Sequence, residues 1–175
     1  MNAVDLLITQ HRTLESKFDD LMTAVDAGSA ARCRALLAEA GDDLTVHIAS
    51  EEQVFYPAVK ARRTNDILME SLEEHLSLKR LLADLLALDP GEATFKPKAK
   101  VLQEQTEHHH KEEENHLFPQ VQKLMDPAEL DTLGEALALR QADIAAPILI
   151  LGYTPPWQVR EAIRQNIICT IFDPQ

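Results

Sequence analysis

Apolar residues recur at alternating intervals of three and four through the first 125 positions, in four runs. The first carries Val4, Leu7, His11, Leu14, Phe18, Leu21 and Val25. Spacing of this kind lays a single stripe along one face of a helix, and Gly28-Ser29 ends it. A second run holds Leu37, Ala40, Leu44, His47, Glu51, Val54 and Ala58 and should close near Arg62-Arg63, with Thr64-Asn65-Asp66 as a turn and cap signal. A third places Leu68, Ser71, His75, Leu78, Leu82 and Leu85 on its stripe and stops at Asp89-Pro90-Gly91. A loop with Pro97 leads into the fourth, with Leu102, Thr106, His109, Glu113, His116 and Gln120. Four long amphipathic helices on short turns predict an all-α, up-down-up-down four-helix bundle over residues 1–125.

The polar members of these stripes are the anomaly. His11, His47, Glu51, His75, His109 and Glu113 occupy slots that face the core, where an unpaired carboxylate or imidazolium costs several kcal/mol. A cation that binds them together removes that cost. The chain also writes one stretch twice, as His47-Ile-Ala-Ser-Glu51-Glu-Gln-Val-Phe-Tyr-Pro57 and His109-His-Lys-Glu-Glu113-Glu-Asn-His-Leu-Phe-Pro119. Each copy sets an imidazole and a carboxylate one helical turn apart on one face. A lone His precedes each copy, so a helix-loop-helix unit reads as doubled: Leu14 aligns with Leu78, Phe18 with Leu82 and Leu21 with Leu85. The two halves then bring four imidazoles and two carboxylates to one level of the bundle.

Composition narrows the chemistry. The chain has 175 residues, enough for one domain with a substantial core. Its 17 basic and 29 acidic residues give a net charge of −12, which disfavours nucleic acid and anionic lipid as partners. Cys33 and Cys169 are too few for a disulfide framework or a thiolate zinc site, and Cys33 reads as a small core residue. Neither a signal peptide nor a membrane-length apolar run is expected, so the reading is a soluble cytoplasmic protein. A mixed nitrogen and oxygen donor set of six exceeds one tetrahedral zinc and suits two iron ions sharing two carboxylates. Manganese, a mixed pair or zinc stays open on spacing alone.

The two His-x-x-x-Glu-Glu copies, each followed by an aromatic-Pro pair and separated by single histidines, resemble the hemerythrin/HHE cation-binding family over roughly residues 3–125. The resemblance implies a four-helix bundle holding a non-heme di-iron centre bridged by an oxo or hydroxo group. The implied ligands are His11, His47, Glu51, His75, His109 and Glu113, with Glu51 and Glu113 bridging. It departs from the oxygen carriers, which have a fifth His where this chain has Lys79 and an Asp five residues after the last His, where this chain has Glu113 at four. That places it nearer the bacterial HHE and di-iron repair proteins, with a coordination position left to solvent or to another side chain.

Residues near that position read as follows. His116 is expected in the core beside Phe18, Val54 and Leu82, as a hydrogen-bonded histidine or a group next to the metal. Glu15, four after His11, could reach the site but reads as a surface or inter-helix ion pair, His108 and His110 as exposed or rim residues, and Glu52, Glu112 and Glu114 as solvated charge, with Glu114 able to brace a ligand imidazole. Pro57 and Pro119 should kink or end their helices just past the metal level.

Residues 126–175 form a C-terminal extension outside the repeat. Asp126-Pro127-Ala-Glu129 starts a fifth helix expected to run to about Ala142. The apolar runs Ala146–Tyr153 and Ile167–Phe172, with a short sixth helix opening at Thr154-Pro155-Pro156-Trp157, must be buried on the bundle or in a homodimer contact, the latter favoured.

The function this implies is binding or sensing of dioxygen, nitric oxide or peroxide, or handling of iron. One alternative is a peroxidase or oxidase-like enzyme with an open coordination position and a proton donor such as His116. Another is a metal-stabilised module acting through its C-terminal segment.

Overall fold

The computed structural model describes residues 1–60 and 65–150. Its helices are α1 (Ala3–Asp26), α2 (Ala30–Ser50), α3 (Tyr56–Lys60), α4 (Asn65–Ala87), α5 (Phe95–Glu112), α6 (Phe118–Leu124) and α7 (Pro127–Ile150). Two π-helical turns, Glu51–Phe55 and Glu113–Leu117, join α2 to α3 and α5 to α6. No strand occurs among the described residues, and no described helix is long and apolar enough to cross a membrane. The fold is all-α, as the periodicity predicts.

Local chemistry sets the ends. Asn2 caps α1 by accepting the Asp5 N–H at 3.0 Å. Gly28, at φ 66°, closes α1 in the left-handed conformation, with the Ser29 N–H reaching back to the Ala24 carbonyl. Asp126 and Glu129 form a reciprocal cap on α7: Asp126 Oδ1 accepts from the Ala128 N–H and Glu129 Oε2 from the Asp126 N–H, both at 3.0 Å. Pro97 lies inside the first turn of α5 rather than in a loop before it, because the missing N–H of a first-turn proline costs nothing. α7 passes the expected stop at Ala142 and continues to Ile150, since no glycine or proline interrupts the stretch from residue 135 to 146. Thr64, Arg62-Arg63, the proposed sixth helix and the run Ile167–Phe172 lie outside the described residues.

α1 packs on α2 and α5, α4 on α5 and α2, and α7 against α1, α2 and the first π turn. Two apolar cores result. Leu14, Phe18, Leu21, Leu37, Leu44, Leu78, Leu82, Phe95 and Leu102 fill the end nearest the α1–α2 and α4–α5 turns. Val4, Leu7, Phe55, Val59, Leu68, Leu117, Phe118 and Val121 fill the other end together with Leu130, Leu133 and Leu137 of α7. Each fully buried Leu or Phe contributes about 1.5–3 kcal/mol. The polar residues of the stripes lie in the layer between.

The π turns correct the pattern beyond that layer. In each, an N–H reaches five residues back, Tyr56 to Glu51 and Phe118 to Glu113, so one extra residue enters the turn and the following face rotates. Val54 is only partly buried and Ala58 is exposed, while Phe55 and Val59 are buried. In the second copy His116 and Gln120 are exposed and Leu117 and Val121 buried. His116 is therefore no core histidine: it is 57% exposed and pairs with Glu112 at 2.9 Å. Val54 packs with the core at the opposite end from Leu14, Phe18 and Leu82. Pro57 and Pro119 follow directly, so the helix absorbs the prolines' missing N–H as a wide turn.

Candidate metal centre

α1, α2, α4 and α5 each deliver one imidazole to the central layer, and the residue four past His47 and past His109 delivers a carboxylate. His11, His47, Glu51, His75, His109 and Glu113 are all buried and brought together. Glu51 Oε2 lies 3.3 Å from His47 Nε2 and 3.4 Å from His75 Nε2. Glu113 Oε2 lies 3.4 Å from His11 Nε2 and 3.7 Å from His109 Nε2. Among the described residues three groups of potential ligands have their ligating atoms within 4.8 Å of one another: His11, His47, Glu51 and Glu113; Glu51, His75 and His109; and His11, His47 and His110. Glu51 belongs to the first two.

Every imidazole of the set is held from behind. His11 Nδ1 donates to Glu114 at 2.8 Å, His75 Nδ1 to Glu52 at 3.1 Å, His109 Nδ1 to Glu74 at 2.8 Å and His47 Nδ1 to the Gln10 amide oxygen at 3.0 Å. These acceptors fix the proton on Nδ1 and turn Nε2 inward as a lone pair, the orientation a metal needs. Arg12 pairs with Glu114 and with Glu15, which is the surface ion pair expected of Glu15. Lys79 grips both oxygens of Glu52, at 2.8 and 2.7 Å. Gln141 of α7 exchanges hydrogen bonds with Gln10 and donates to Ser50, so the extension supports the His47 brace.

Sequence reasoning found Glu114 and missed three of the four braces. Glu52, expected to be solvated, is bound to His75 and Lys79, and Gln10 and Glu74 brace their histidines from beside the stripes. The signal was available, because Gln10 and Glu74 each precede the lone His of their half and Glu52 and Glu114 each follow a stripe carboxylate, Glu51 or Glu113. Tyr56 was also missed. Its hydroxyl donates to Glu113 Oε1 at 2.8 Å and lies 3.2 Å from His75 Nε2, and its repeat counterpart, Phe118, has no hydroxyl. His108 is exposed at 66%, as expected. His110 is not at the rim: it is fully buried and stacked on His11.

The electrostatics are those of a basin of lone pairs. His75 Nε2 and His109 Nε2 face each other at 2.8 Å, and with both protons on Nδ1 this contact is repulsive unless a cation lies between the rings. Burial, then the facing imidazoles, hold His47 well below the usual histidine range. Burial and His109 bring His75 down to about 4. Burial opposes the charge on His109 as well, but Glu113 and Glu74 outweigh it and raise its pKa. Burial likewise opposes ionised Glu113, yet His109 and His11 pull it down to about 2. Burial and the Glu113 charge push Glu51 well above the carboxylate range.

These shifts set an acid response for the metal-free protein. An imidazole depressed by folding stays neutral in the fold while the unfolded chain takes up a proton. His47, His75 and His110 therefore contribute stability above about pH 6.5 that is lost as pH falls, for His75 through about 4. Glu51 acts in the opposite sense, its cost growing as pH rises through its raised value. Three imidazoles outweigh one carboxyl, so thermal melts of metal-free protein should show Tm falling between pH 6.5 and 4. His75→Gln should flatten that slope, and an unchanged slope would contradict a buried neutral His75.

Known proteins resemble the chain in two separate regions. The sequence profile of the Hemerythrin HHE cation binding domain matches residues 2–133. The crystal structure of a hemerythrin HHE cation-binding domain-containing protein from Mycobacterium kansasii superposes with a TM-score of 0.80 at 24% identity, covering 95% of this chain and 99% of that one. That likeness is one of fold. A DNA nickase from Nostoc sp. is 28% identical over 118 residues, which are 67% of this chain and 33% of the nickase. The profile of the alanine racemase N-terminal domain matches residues 119–175. Alanine racemase 1 of Oceanobacillus iheyensis is 46% identical over 43 residues, 25% of this chain and 11% of the racemase. The chain thus spans a third or less of these curated relatives. The second likeness falls on residues 119–175, where periodicity pointed to no relative.

Proposed function

The chain belongs to the hemerythrin HHE cation-binding family, and from that premise we propose a cytoplasmic non-heme di-iron protein that binds or senses a small diatomic ligand or peroxide, or handles iron. His11 and His47 would hold one ion and His75 and His109 the other, with Glu51 and Glu113 as the carboxylates shared between them. The bundle of residues 1–125 carries the site and residues 126–175 are its extension.

One observation carries this reading. His11 Nε2, His47 Nε2, both Glu51 oxygens and Glu113 Oε2 are buried with no hydrogen-bond partner in the protein. Each such atom costs about 1–3 kcal/mol unless something binds it, and all of them point into one layer. Inward-turned imidazole nitrogens and carboxylate oxygens gathered in one buried layer are the ligand atoms a cation takes. Nitrogen and oxygen ligands without thiolate, in a number beyond one tetrahedral ion, favour two iron ions over structural zinc. A bound ferrous pair would supply reducing electrons and an attachment point for the small ligand. The chain's own part is to aim the imidazoles, spread the carboxylate charge and exclude water with Leu14, Phe18, Leu78 and Leu82.

The enzyme alternative loses its proton donor, because His116 is exposed and paired with Glu112. The nickase likeness does not bring DNA with it: the chain covers a third of that protein and its net charge of −12 opposes a polyanion.

The test is metal content and the visible spectrum of protein purified anaerobically, then exposed to air. About two irons per chain, with new near-ultraviolet charge-transfer bands on exposure, are expected of a carboxylate-bridged pair. Zinc or no metal after anaerobic iron reconstitution would sink the reading.

A further inference from the structure

The six proposed ligands leave one buried imidazole unused. His110 is wholly buried, and neither its Nδ1 nor its Nε2 meets a hydrogen-bond partner. Its ring lies flat on His11, with centroids 3.8 Å apart and planes 4° from parallel, and stands edge-on to His47 at 5.4 Å. It groups with those two rings, with ligating atoms within 4.8 Å of one another. The matching residue of the first copy is Ile48, buried in the first core, so the second half carries an imidazole where the first is content with an aliphatic side chain. A residue there for shape alone need not desolvate two polar atoms.

Direct coordination does not fit the pose. An imidazole lone pair lies in the plane of its ring, and two stacked parallel planes share no point. An ion in the plane of His11 is therefore out of line with both nitrogens of His110. A neutral imidazole nevertheless carries one N–H, and this one needs an acceptor that the protein does not supply. The other ion is differently served, since Tyr56 beside His75 already spends its hydroxyl proton on Glu113. A cleft of about 360 Å³ between α1, α2 and α7, lined by Gln10, Leu14, His47, Gln141 and Ala145, leads from the surface to His47.

We propose that His110 is the hydrogen-bonding residue for a small exogenous ligand at the His11/His47 ion, its ring N–H donating to an acceptor atom of a ligand the size of azide, nitric oxide or peroxide. The inference rests on the di-iron reading and makes the two ions unequal: the ligand takes the His11/His47 side.

The experiment is azide titration of iron-loaded protein, followed by its charge-transfer absorption, with iron content measured in parallel. The variants are His110→Phe, which keeps the stack, His110→Asn, which restores an N–H, and His108→Ala as a surface control. Iron content should be unchanged in all three. Azide should bind about 10- to 100-fold more weakly to His110→Phe, as for loss of a hydrogen bond to a charged group, with partial recovery in His110→Asn and no change in His108→Ala. Loss of iron from His110→Phe would make His110 a metal ligand and overturn the proposal. Unchanged azide affinity with iron retained would make it packing only and overturn the proposal alone. Wild-type protein that takes up no iron would overturn the di-iron reading and this inference with it.

Discussion

Glu51→Ala is expected to empty both metal positions together, whereas His11→Ala should leave the His75/His109 position loaded. The difference follows from membership, because Glu51 stands with His11, His47 and Glu113 and also with His75 and His109, whereas His11 shares no group with His75 or His109. Loss of a residue that only braces a ligand weakens metal binding by about 10–100-fold, so loss of a shared ligand should exceed about 100-fold at both positions. Iron per chain after dialysis against a graded chelator would separate the variants. Retention of two irons by Glu51→Ala would remove Glu51 from its bridging role. Without metal the sign reverses. Glu51 is a buried carboxyl facing Glu113, with neither oxygen partnered, and an apolar residue of similar volume is often neutral or stabilising at such a place. Glu51→Leu should therefore raise the Tm of metal-free protein while abolishing the gain that iron gives the wild type.

Gly134→Ala is expected to cost about 1–3 kcal/mol, the range for forcing extra volume into a packed contact. That corresponds to a Tm lower by roughly 2–12 °C for a chain of this size. A Cβ at Gly134 would overlap the Met1 carbonyl oxygen and lie 2.9 Å from both the Ala3 nitrogen and the Asn2 carbonyl carbon. All three are backbone atoms and cannot swing aside, so α7 or the start of α1 must move. Leu130, Leu133 and Leu137 seal the second core and Gln141 steadies Gln10 behind His47, so the variant should also hold iron less tightly. Thermal melts with and without iron check both effects. A Tm within a degree of wild type would mean that the close approach of α7 carries no stability.

Much of this arrangement was legible in spacing alone. Where a helix keeps a strict 3.6 period, as from Val4 to Leu21 and from Leu68 to Leu85, the stripe names the buried residues one by one. Periodicity fails where the period changes: the π turns at Glu51 and Glu113 shift the inward face by one residue, which sends His116 outward and brings Phe55 and Leu117 in. His110 escaped notice for a related reason. A residue adjacent to a stripe position points about 100° away, which in a simple bundle means the rim, but here faces α1 across the layer. Its place was readable from Gln103 and Thr106, three and four residues apart on the way to it and both buried. The braces were hidden because charge beside a ligand looks like solvated charge until the partner across the bundle is known. The extension kept its cap at Asp126 in plain view but not its length, since an alanine-rich stretch gives no stop signal before Pro147.

Two of the four braces cross between the halves of the chain. His11 of the first helix pair leans on Glu114 of the second and His75 of the second on Glu52 of the first, while Glu51 and Glu113 each reach an imidazole of the opposite pair. Neither pair carries a complete site. An ancestor with a single helix pair would have assembled this centre only as a symmetric dimer, with its twofold axis running between the two metal positions. Gene duplication would then have fixed the two copies in one chain and released them from identity. Gln10 against Glu74, Tyr56 against Phe118 and Ile48 against His110 are the places where that freedom has been used.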